Sequence, residues 1–492
     1  MKFDYIFKEL LTICRKGLKV SLIFSIVVAG CKKFVQISPP VTQIAATTVF
    51  TSNTSAAAAV TGIYSNMMAN PTGKLSSGLS SVGFLQGLAS DELKAYNLGN
   101  AVTAAFYANS LSSSTNGASN NYYWLELYNE IYAANSVIEG LQNAPTVNTA
   151  IKQQLIGEAK FIRAFLHFYA VNLYGDVPLV TSTNYLINNT IGRTAKAQVY
   201  QQIIQDMKDA QAALSANFVD GAGLSINERV RPNRGAATAM LARTYLYSGK
   251  WDSAETQATA LIANSSQYGL VNNFDSVFLK NSKETIWQLQ PVLPGYNTFD
   301  GYYYVLTSAP GTTRFPAALS NNILSAFEPS DKRYTKWIGR ITVGTSTYYY
   351  SNKYKVGIMN TTNPVTEYQM VLRLSEQYLI RAEARVQKGD ISGAQADLNI
   401  IRARAGLSST TASDQSSLLN AILHERQVEL FTEWGHRWFD LIRMGAINSV
   451  MGSPGNVSQA KGGTWNQNWI LLPIPLTETQ INLNLSQNAG YN

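Results

Sequence analysis

Apolar residues recur at spacings of three and four along most of this chain, and that period limits its fold more than any other feature. Trp124, Leu127, Tyr128, Ile131, Asn135 and Ile138 form one series, and Leu155, Ala159, Ile162, Leu166, Tyr169 and Leu173 a second. A third runs Leu374, Tyr378, Ala382, Val386, and a fourth Ala394, Leu398, Ile401, Ala405. At 3.6 residues per turn, each series puts one apolar stripe on one side of a helix. The fold class expected is mainly α.

Two segments also resemble each other. Leu241-Ala242-Arg243-Thr244-Tyr245 leads to Gly249-Lys250-Trp251-Asp252 and Ala254, while Arg381-Ala382-Glu383-Ala384-Arg385 leads to Gly389-Asp390-Ile391-Ser392 and Ala394. In both, a helix ends at a glycine and another begins a few residues later with alanine facing inward. That is the grammar of a tetratricopeptide repeat, in which small residues let paired helices approach. The copies lie about 140 residues apart instead of the roughly 34 of a continuous array, so other material must be inserted between them. From about Asn281 to Gln369 the helical period fades, and Gly, Pro, Thr and Tyr take over. Short strands are expected at Thr285 to Leu289 and Tyr348 to Lys353, and a smaller polar loop spans Asn109 to Asn121. Long loops on a helical scaffold commonly hold function. The expected architecture is therefore tetratricopeptide-like helix pairs packed against an irregular, loop-rich ligand-binding half with a few short β-strands.

The N-terminus reads as an address. Lys2, Lys8, Arg15, Lys16 and Lys19 precede an apolar run from Val20 to Val28, and Ala29-Gly30 lead into Cys31. Basic start, short apolar core and small-residue exit make residues 1–30 a secretory signal peptide. The run is about nine residues, against about 20 for a bilayer-spanning helix. Val28-Ala29-Gly30-Cys31 has the form of a bacterial lipobox, so Cys31 is the expected site of lipid attachment. Stable anchoring takes more than one acyl chain. Residues 31–45 then serve as a lipidated tether, and 46–492 as a single domain with its loop-rich insert at about 281–369. Cys14 is the only other cysteine, so thiol chemistry has no place in the folded body.

Composition narrows the ligand class. Charged residues make up 14% of the chain, against about 25% in an average soluble protein. Ser, Thr, Asn and Gln replace them, alongside 27 Tyr and 8 Trp. Such a surface suits neutral, hydroxyl-rich ligands better than phosphate or metal. The net charge is +8, but the 39 basic residues are spread along the chain, whereas nucleic-acid binders cluster them on one face. Nucleic acid is not an expected partner. A zinc-protease helix would need a second His four residues after His424, and position 428 is Val428. An acid–base pair could be drawn from Glu425 with Glu429 or Asp440. The favoured reading is a polar network in which Arg426, Arg437 and Arg443 neutralise those acids and pin the C-terminal helices, since buried charges must be paired. His167, in a helix dense with aromatics, reads as a hydrogen-bonded core residue. No metal and no cofactor are expected.

Six blocks in order resemble the SusD/RagB family of nutrient-binding lipoproteins. They are Trp124 to Tyr128 with Ile131 and Ala134-Asn135; Glu158 to Phe165 running into Leu173 to Leu179; and Arg231-Pro232 with Ala236-Ala237 and Leu241 to Tyr247. Arg373 to Glu376 with Ala382 to Ala384 follows, then His424-Glu425-Arg426 with Glu429-Leu430 and Gly435 to Arg443, and finally Leu472 to Pro475 through Gln487-Asn488. The resemblance implies an outer-membrane lipoprotein that sits as a lid over a SusC-like TonB-dependent transporter and captures a ligand, usually a glycan, for uptake. It also implies a multiply acylated Cys31 and a cell-outer-membrane location facing outward. Relatives exported to the surface often have acidic residues just after the cysteine, whereas this chain has Lys32-Lys33, so outward display follows less directly than anchoring.

A sugar ring has an apolar C–H face for aromatic stacking and an edge of hydroxyls for polar side chains. Tyr296, Tyr302, Tyr303 and Tyr304, with Asn297, Asp300 and Arg314, supply both kinds. Asp91, Tyr96 and Tyr107 lie in an area that in relatives is near the ligand face. The competing structural reading has alternate tyrosines packing inward and Asp91 as a solvated helix-end acid. The expected function is non-enzymatic capture of oligo- or polysaccharides and delivery to the transporter. The rivals are a helical glycoside hydrolase, for which no carboxylate pair stands out, and a protein-interaction scaffold of the transporter complex. Whether the ligand is a glycan or a peptide stays open at this level.

Overall fold

The computed structural model of the protein describes residues 49–69, 74–113, 119–452 and 457–491. The signal peptide, Cys31 and the tether as far as residue 45 lie outside the described residues. The body that follows starts at Phe50.

Helices dominate it. They include α1 (Asn53–Met68), α2 (Val82–Ala89), α3 (Ser119–Gln142), α4 (Thr149–Tyr174), α5 (Lys196–Ala213), α6 (Arg234–Tyr247) and α7 (Trp251–Ala263). After the insert come α8 (Leu374–Gln387), α9 (Ile391–Ala405), α10 (Gln415–Leu430) and α11 (His436–Arg443). Short polar residues start many of them. The side chains of Ser52, Ser81, Asn148, Asn233, Asp390 and Asp414 each accept a hydrogen bond from a backbone N–H of the first turn, which satisfies donors that a helix start leaves over.

Each of the helices from α3 to α9 packs on the next. The two glycine-linked pairs, α6–α7 and α8–α9, are closed alike. Gly249 (φ +69°) and Gly389 (φ +85°) take the left-handed conformation. At each turn the following N–H reaches back five residues, Lys250 to the Tyr245 carbonyl and Asp390 to the Arg385 carbonyl, both at 2.9 Å. This is the Schellman ending that glycine permits. Ala242, Ala254, Ala258, Ala382, Ala394 and Ala405 are all fully buried between these helices. Helix α7 packs directly against α8, although the whole insert separates them in sequence.

The insert is anchored by three small antiparallel ribbons. Strand β1 (Leu93–Ala95) pairs with β3 (Ala317–Leu319), and β2 (Thr285–Leu289) with β6 (Gln369–Arg373). Strands β4 (Ile338–Val343) and β5 (Ser346–Ser351) form a hairpin, turned at Gly344 with φ +61°, as a tight hairpin turn requires. The expected strand at Thr285 to Leu289 is present, and the one expected at Tyr348 to Lys353 begins two residues earlier. Trp287 of β2 drives into the helices. It packs edge-on against Phe161 (4.9 Å) and Phe165 (5.4 Å) and donates its indole N–H to the Val230 carbonyl at 3.1 Å.

Buried charges tie the two halves together. Glu429 of α10 accepts from Arg373 at the end of β6 (2.6 Å), from Arg333 of the insert (2.9 Å) and from Arg404 of α9. Arg404 also holds Glu284 at 2.7 Å, and Arg333 holds Glu425 at 2.7 Å. Arg426 and Arg443 both pair with Asp440, at 2.7 and 2.8 Å. The C-terminal network is therefore real, but the partners of Glu425 and Glu429 come from the insert and from α9, and Arg437 pairs elsewhere. His424 bonds the Ala326 carbonyl at 2.7 Å, and His167, held neutral by burial with its pKa pushed down to about 3, bonds the Arg163 carbonyl at 3.0 Å.

Candidate functional site

The β1–β3 ribbon sets up an aromatic face. Tyr96 follows β1 directly, and its N–H donates to the Pro316 carbonyl at 2.8 Å, which fixes where its ring emerges. The ring is 37% exposed and meets Tyr348 of β5 edge-on at 5.5 Å. Lys94 places its ammonium 5.1 Å from the Tyr96 ring centre. Partial burial and the neighbouring Tyr348 hydroxyl raise the Tyr96 phenol above its ordinary value. Just before β3, Arg314 lays its guanidinium 3.8 Å from the centre of the Tyr302 ring, and donates to the Tyr302 and Gly357 carbonyls. Tyr302 in turn packs edge-on against Tyr296 at 5.0 Å. Around these rings the chain is neutral and exposed at Thr307, Ser308, Gly311, Thr312 and Thr313.

Tyr302 to Tyr304 occupy a helical turn, Phe299–Tyr304, not an open loop. The Thr298 hydroxyl caps it by accepting from the Gly301 N–H at 2.9 Å, and a Cβ on Gly301 would stand 2.6 Å from the Val356 carbonyl. The helical turn points successive tyrosines about 100° apart, to different sides. Tyr302 stays half-buried on the face, Tyr303 is buried beside it, and Tyr304 points inward against Phe84 at 5.9 Å. The expected platform of three tyrosines thus reduces to one, with Tyr296 beside it.

The polar residues expected on the ligand face are used by the fold. Asp91 is buried and chelated by Arg437 at 2.6 and 2.8 Å, so it is not a solvated acid. The buried Asn297 side-chain amide oxygen accepts from the N–H groups of Thr366 (2.7 Å) and Glu367 (2.9 Å), closing the insert on itself. Asp300 is buried and accepts from the Gly78 N–H at 3.0 Å and the Gln369 amide at 2.7 Å; burial pushes its pKa up to about 7. Tyr107 is largely covered, with the Lys461 ammonium 5.2 Å from its ring centre. Of the ten residues expected to meet ligand, the structure leaves Tyr96, Tyr296, Tyr302 and Arg314 partly exposed, in two clusters, Tyr96 with Tyr348 and Tyr302 with Tyr296 and Arg314. Asp91, Tyr107, Asn297, Asp300, Tyr303 and Tyr304 are buried. Tyr348 is the addition. It belongs to a visible run of three tyrosines, and strand alternation puts Tyr348 and Tyr350 together over Leu306, Phe315 and Ala318.

Two family descriptions cover most of the chain. Residues 283–491 match the SusD family, and residues 83–246 match a SusD-like family described as starch-binding and associating with the outer membrane. The chain belongs to the SusD/RagB-like family. The SusD-like protein P25 of Formosa agariphila is 25% identical over 427 residues, 75% of this chain and 78% of that protein. The starch-binding protein SusD of Bacteroides thetaiotaomicron is 23% identical over 438 residues, 72% of this chain and 74% of that one. A SusD superfamily protein from Bacteroides vulgatus has the same fold, with a TM-score of 0.75 at 21% identity over 90% of this chain and 100% of the other. A laminarin-binding SusD-like protein aligns with a TM-score of 0.72 at 24% identity, over 89% and 99%. The SusD-like fold accounts for both the helical array and the position of the irregular insert.

Proposed function

We propose that this SusD-like protein is a non-enzymatic, lipid-anchored receptor of the outer membrane that captures glycans and delivers them to a SusC-like TonB-dependent transporter. The observation that supports capture best is the Tyr302 ring, clamped by Arg314 beside Tyr296 and surrounded by neutral loop residues. A ring held in one orientation loses little side-chain entropy when a pyranose stacks on it. The names of two relatives, a starch-binding and a laminarin-binding protein, favour the same ligand class. Relatives named for binding starch or laminarin favour binding without hydrolysis. Anchoring rests on the lipobox ending at Cys31, and outward display and the transporter partner on the family.

Affinity electrophoresis through gels containing laminarin or starch tests capture. Wild-type protein should be retarded, and Tyr302→Ala should run as in a plain gel while still melting cooperatively within about 2 °C of wild type. Equal retardation of both would move the site away from this face. Released reducing sugar during incubation would argue for an enzyme. Labelled palmitate should enter the wild-type chain and not Cys31→Ser.

A further inference from the structure

A second surface has the chemistry of a sugar platform, away from the tyrosines. It is an open depression of about 700 Å³ lined by Asn448, Gly452, Thr464, Trp465, Asn466, Gln467 and Trp469. None of the seven is ionisable. The nearest lysine in sequence, Lys461, is turned inward, where its ammonium donates to the carbonyls of Leu88, Ala89 and Ser90 at the end of α2.

The rings are held in place. Trp465 donates its indole N–H to the Asn448 side-chain oxygen at 2.8 Å, and Trp438 supports it edge-on at 6.1 Å. With its only polar hydrogen engaged, the half-buried indole has ring surface left to offer. Gly452 keeps the floor low, since a Cβ there would stand 2.8 Å from the Trp465 ring. Asn466 caps the turn bearing Trp469 by accepting from the Asn468 N–H at 3.0 Å. Trp469 is half-buried and also lines a small cavity below, together with Trp438 and Leu472. Two indoles, that of Trp465 fixed in orientation, among amides and a hydroxyl lack the cations that phosphates or nucleic acids need. They match the C–H face and hydroxyl edge of a neutral pyranose.

We propose that Trp465 and Trp469 form a second binding platform for neutral glycans. The inference shares its ligand class with the proposed function but does not use the tyrosine face. Gly463 sits against the Ala108 carbonyl at the end of the helical turn Ala101–Tyr107, and Tyr96 lies just before that turn. A polysaccharide bound at both faces would gain by effective concentration, which a short oligosaccharide cannot.

The test is affinity electrophoresis of the full chain in laminarin, starch, xylan and galactomannan gels. The double variant Trp465→Ala/Trp469→Ala should weaken binding about tenfold to each polysaccharide that retards wild type. Gln467→Arg, at an exposed position that leaves the packing beneath untouched, should weaken it too with an unchanged melting temperature. If both variants match wild type while Tyr302→Ala loses retardation, the second platform is overturned and the first reading stands. If only the tryptophan variants weaken, the first face fails and the second stands. A loss confined to a double variant with lowered melting, not reproduced by Gln467→Arg, overturns the platform. Lack of retardation of wild type in all four gels overturns both.

Discussion

Replacing Glu429 with Gln should lower the melting temperature by several degrees, and the size follows from the contacts. Glu429 is fully buried, with Arg373 and Arg404 on one carboxylate oxygen and Arg333 on the other. These three guanidiniums hold its pKa well below the usual carboxylate range. An amide has one acceptor and one donor end, so either orientation of the substituted side chain points N–H groups at an arginine. Removing one partner of a buried ion pair costs about 3–5 kcal/mol. For a body of about 440 residues beginning at Phe50, an unfolding entropy near 2.1 cal/mol/K per residue makes each kcal/mol worth about 1 °C. The expected drop is therefore about 3–5 °C by calorimetry at pH 7. Asp275→Asn is the control. Asp275 pairs with Lys336 and Lys355 at 2.8 and 3.1 Å but is 40% exposed, and exposed pairs contribute about 0–1 kcal/mol. Its shift should stay within about 1 °C and shrink in salt, whereas that of Glu429→Gln should not. Equal shifts for the two variants would refute the claim that the buried network joins insert to scaffold.

The remaining expectations are narrower. Gly249→Ala and Gly389→Ala should each cost about 1–2 kcal/mol in calorimetry, because both positions need positive φ and a Cβ meets nothing closer than 3.7 Å; a clear inequality would mean the two helix pairs are not equivalent. Asp300 and Glu92 have pKa values raised by burial to about 7 and about 8. The folded state binds protons there that the unfolded chain has released, so their contribution is present at mildly acid pH and fades as pH rises from about 4 to 8. Melting temperatures across that range should show a slope that Asp300→Asn flattens, and an unchanged slope would place the proton elsewhere. Tyr304→Ala should cost about 3–5 kcal/mol of stability in urea unfolding as a buried aromatic truncation, while Tyr302→Ala, two residues away and half-buried against Arg314 and Tyr296, should cost only about 1–2 kcal/mol and affect binding most.

The helical array was legible because a helix writes its buried face into neighbours three and four residues away. Leu398 and Ile401 fall on the stripe read for α9, and both are fully buried. The glycine-ended pairs were legible for the same local reason, since Gly249 and Gly389 mark the turns themselves. The site was less so. Strands β1 and β3 join Leu93 to Leu319, and a three-residue strand has no period from which to read a distant partner. Without that pairing, Tyr96 cannot be seen to lie against Pro316, two residues after Arg314. The same limit explains Asp91, whose partner Arg437 is almost the length of the domain away. It also explains Tyr304, buried against Phe84 about 220 residues earlier in the chain.

The placement of the insert gives a physical reason for concentrating variation there. Helix α7 packs on α8 as though consecutive, and buried side chains of the insert such as Trp287 and Trp337 complete the same core. Entry and exit are fixed at one place, because β2 and β6 pair and β6 runs straight into α8. Loop closure costs little more when a loop lengthens once its ends are held. Exposed residues beyond that ribbon can therefore change without disturbing the helices, provided Trp287, Trp337 and the contacts of Arg333 and Arg373 with Glu429 remain. Substitution at the aromatic face should alter what is bound, and substitution at the ribbon should alter whether the protein folds. Within the insert, recognition and stability thus rest on different residues.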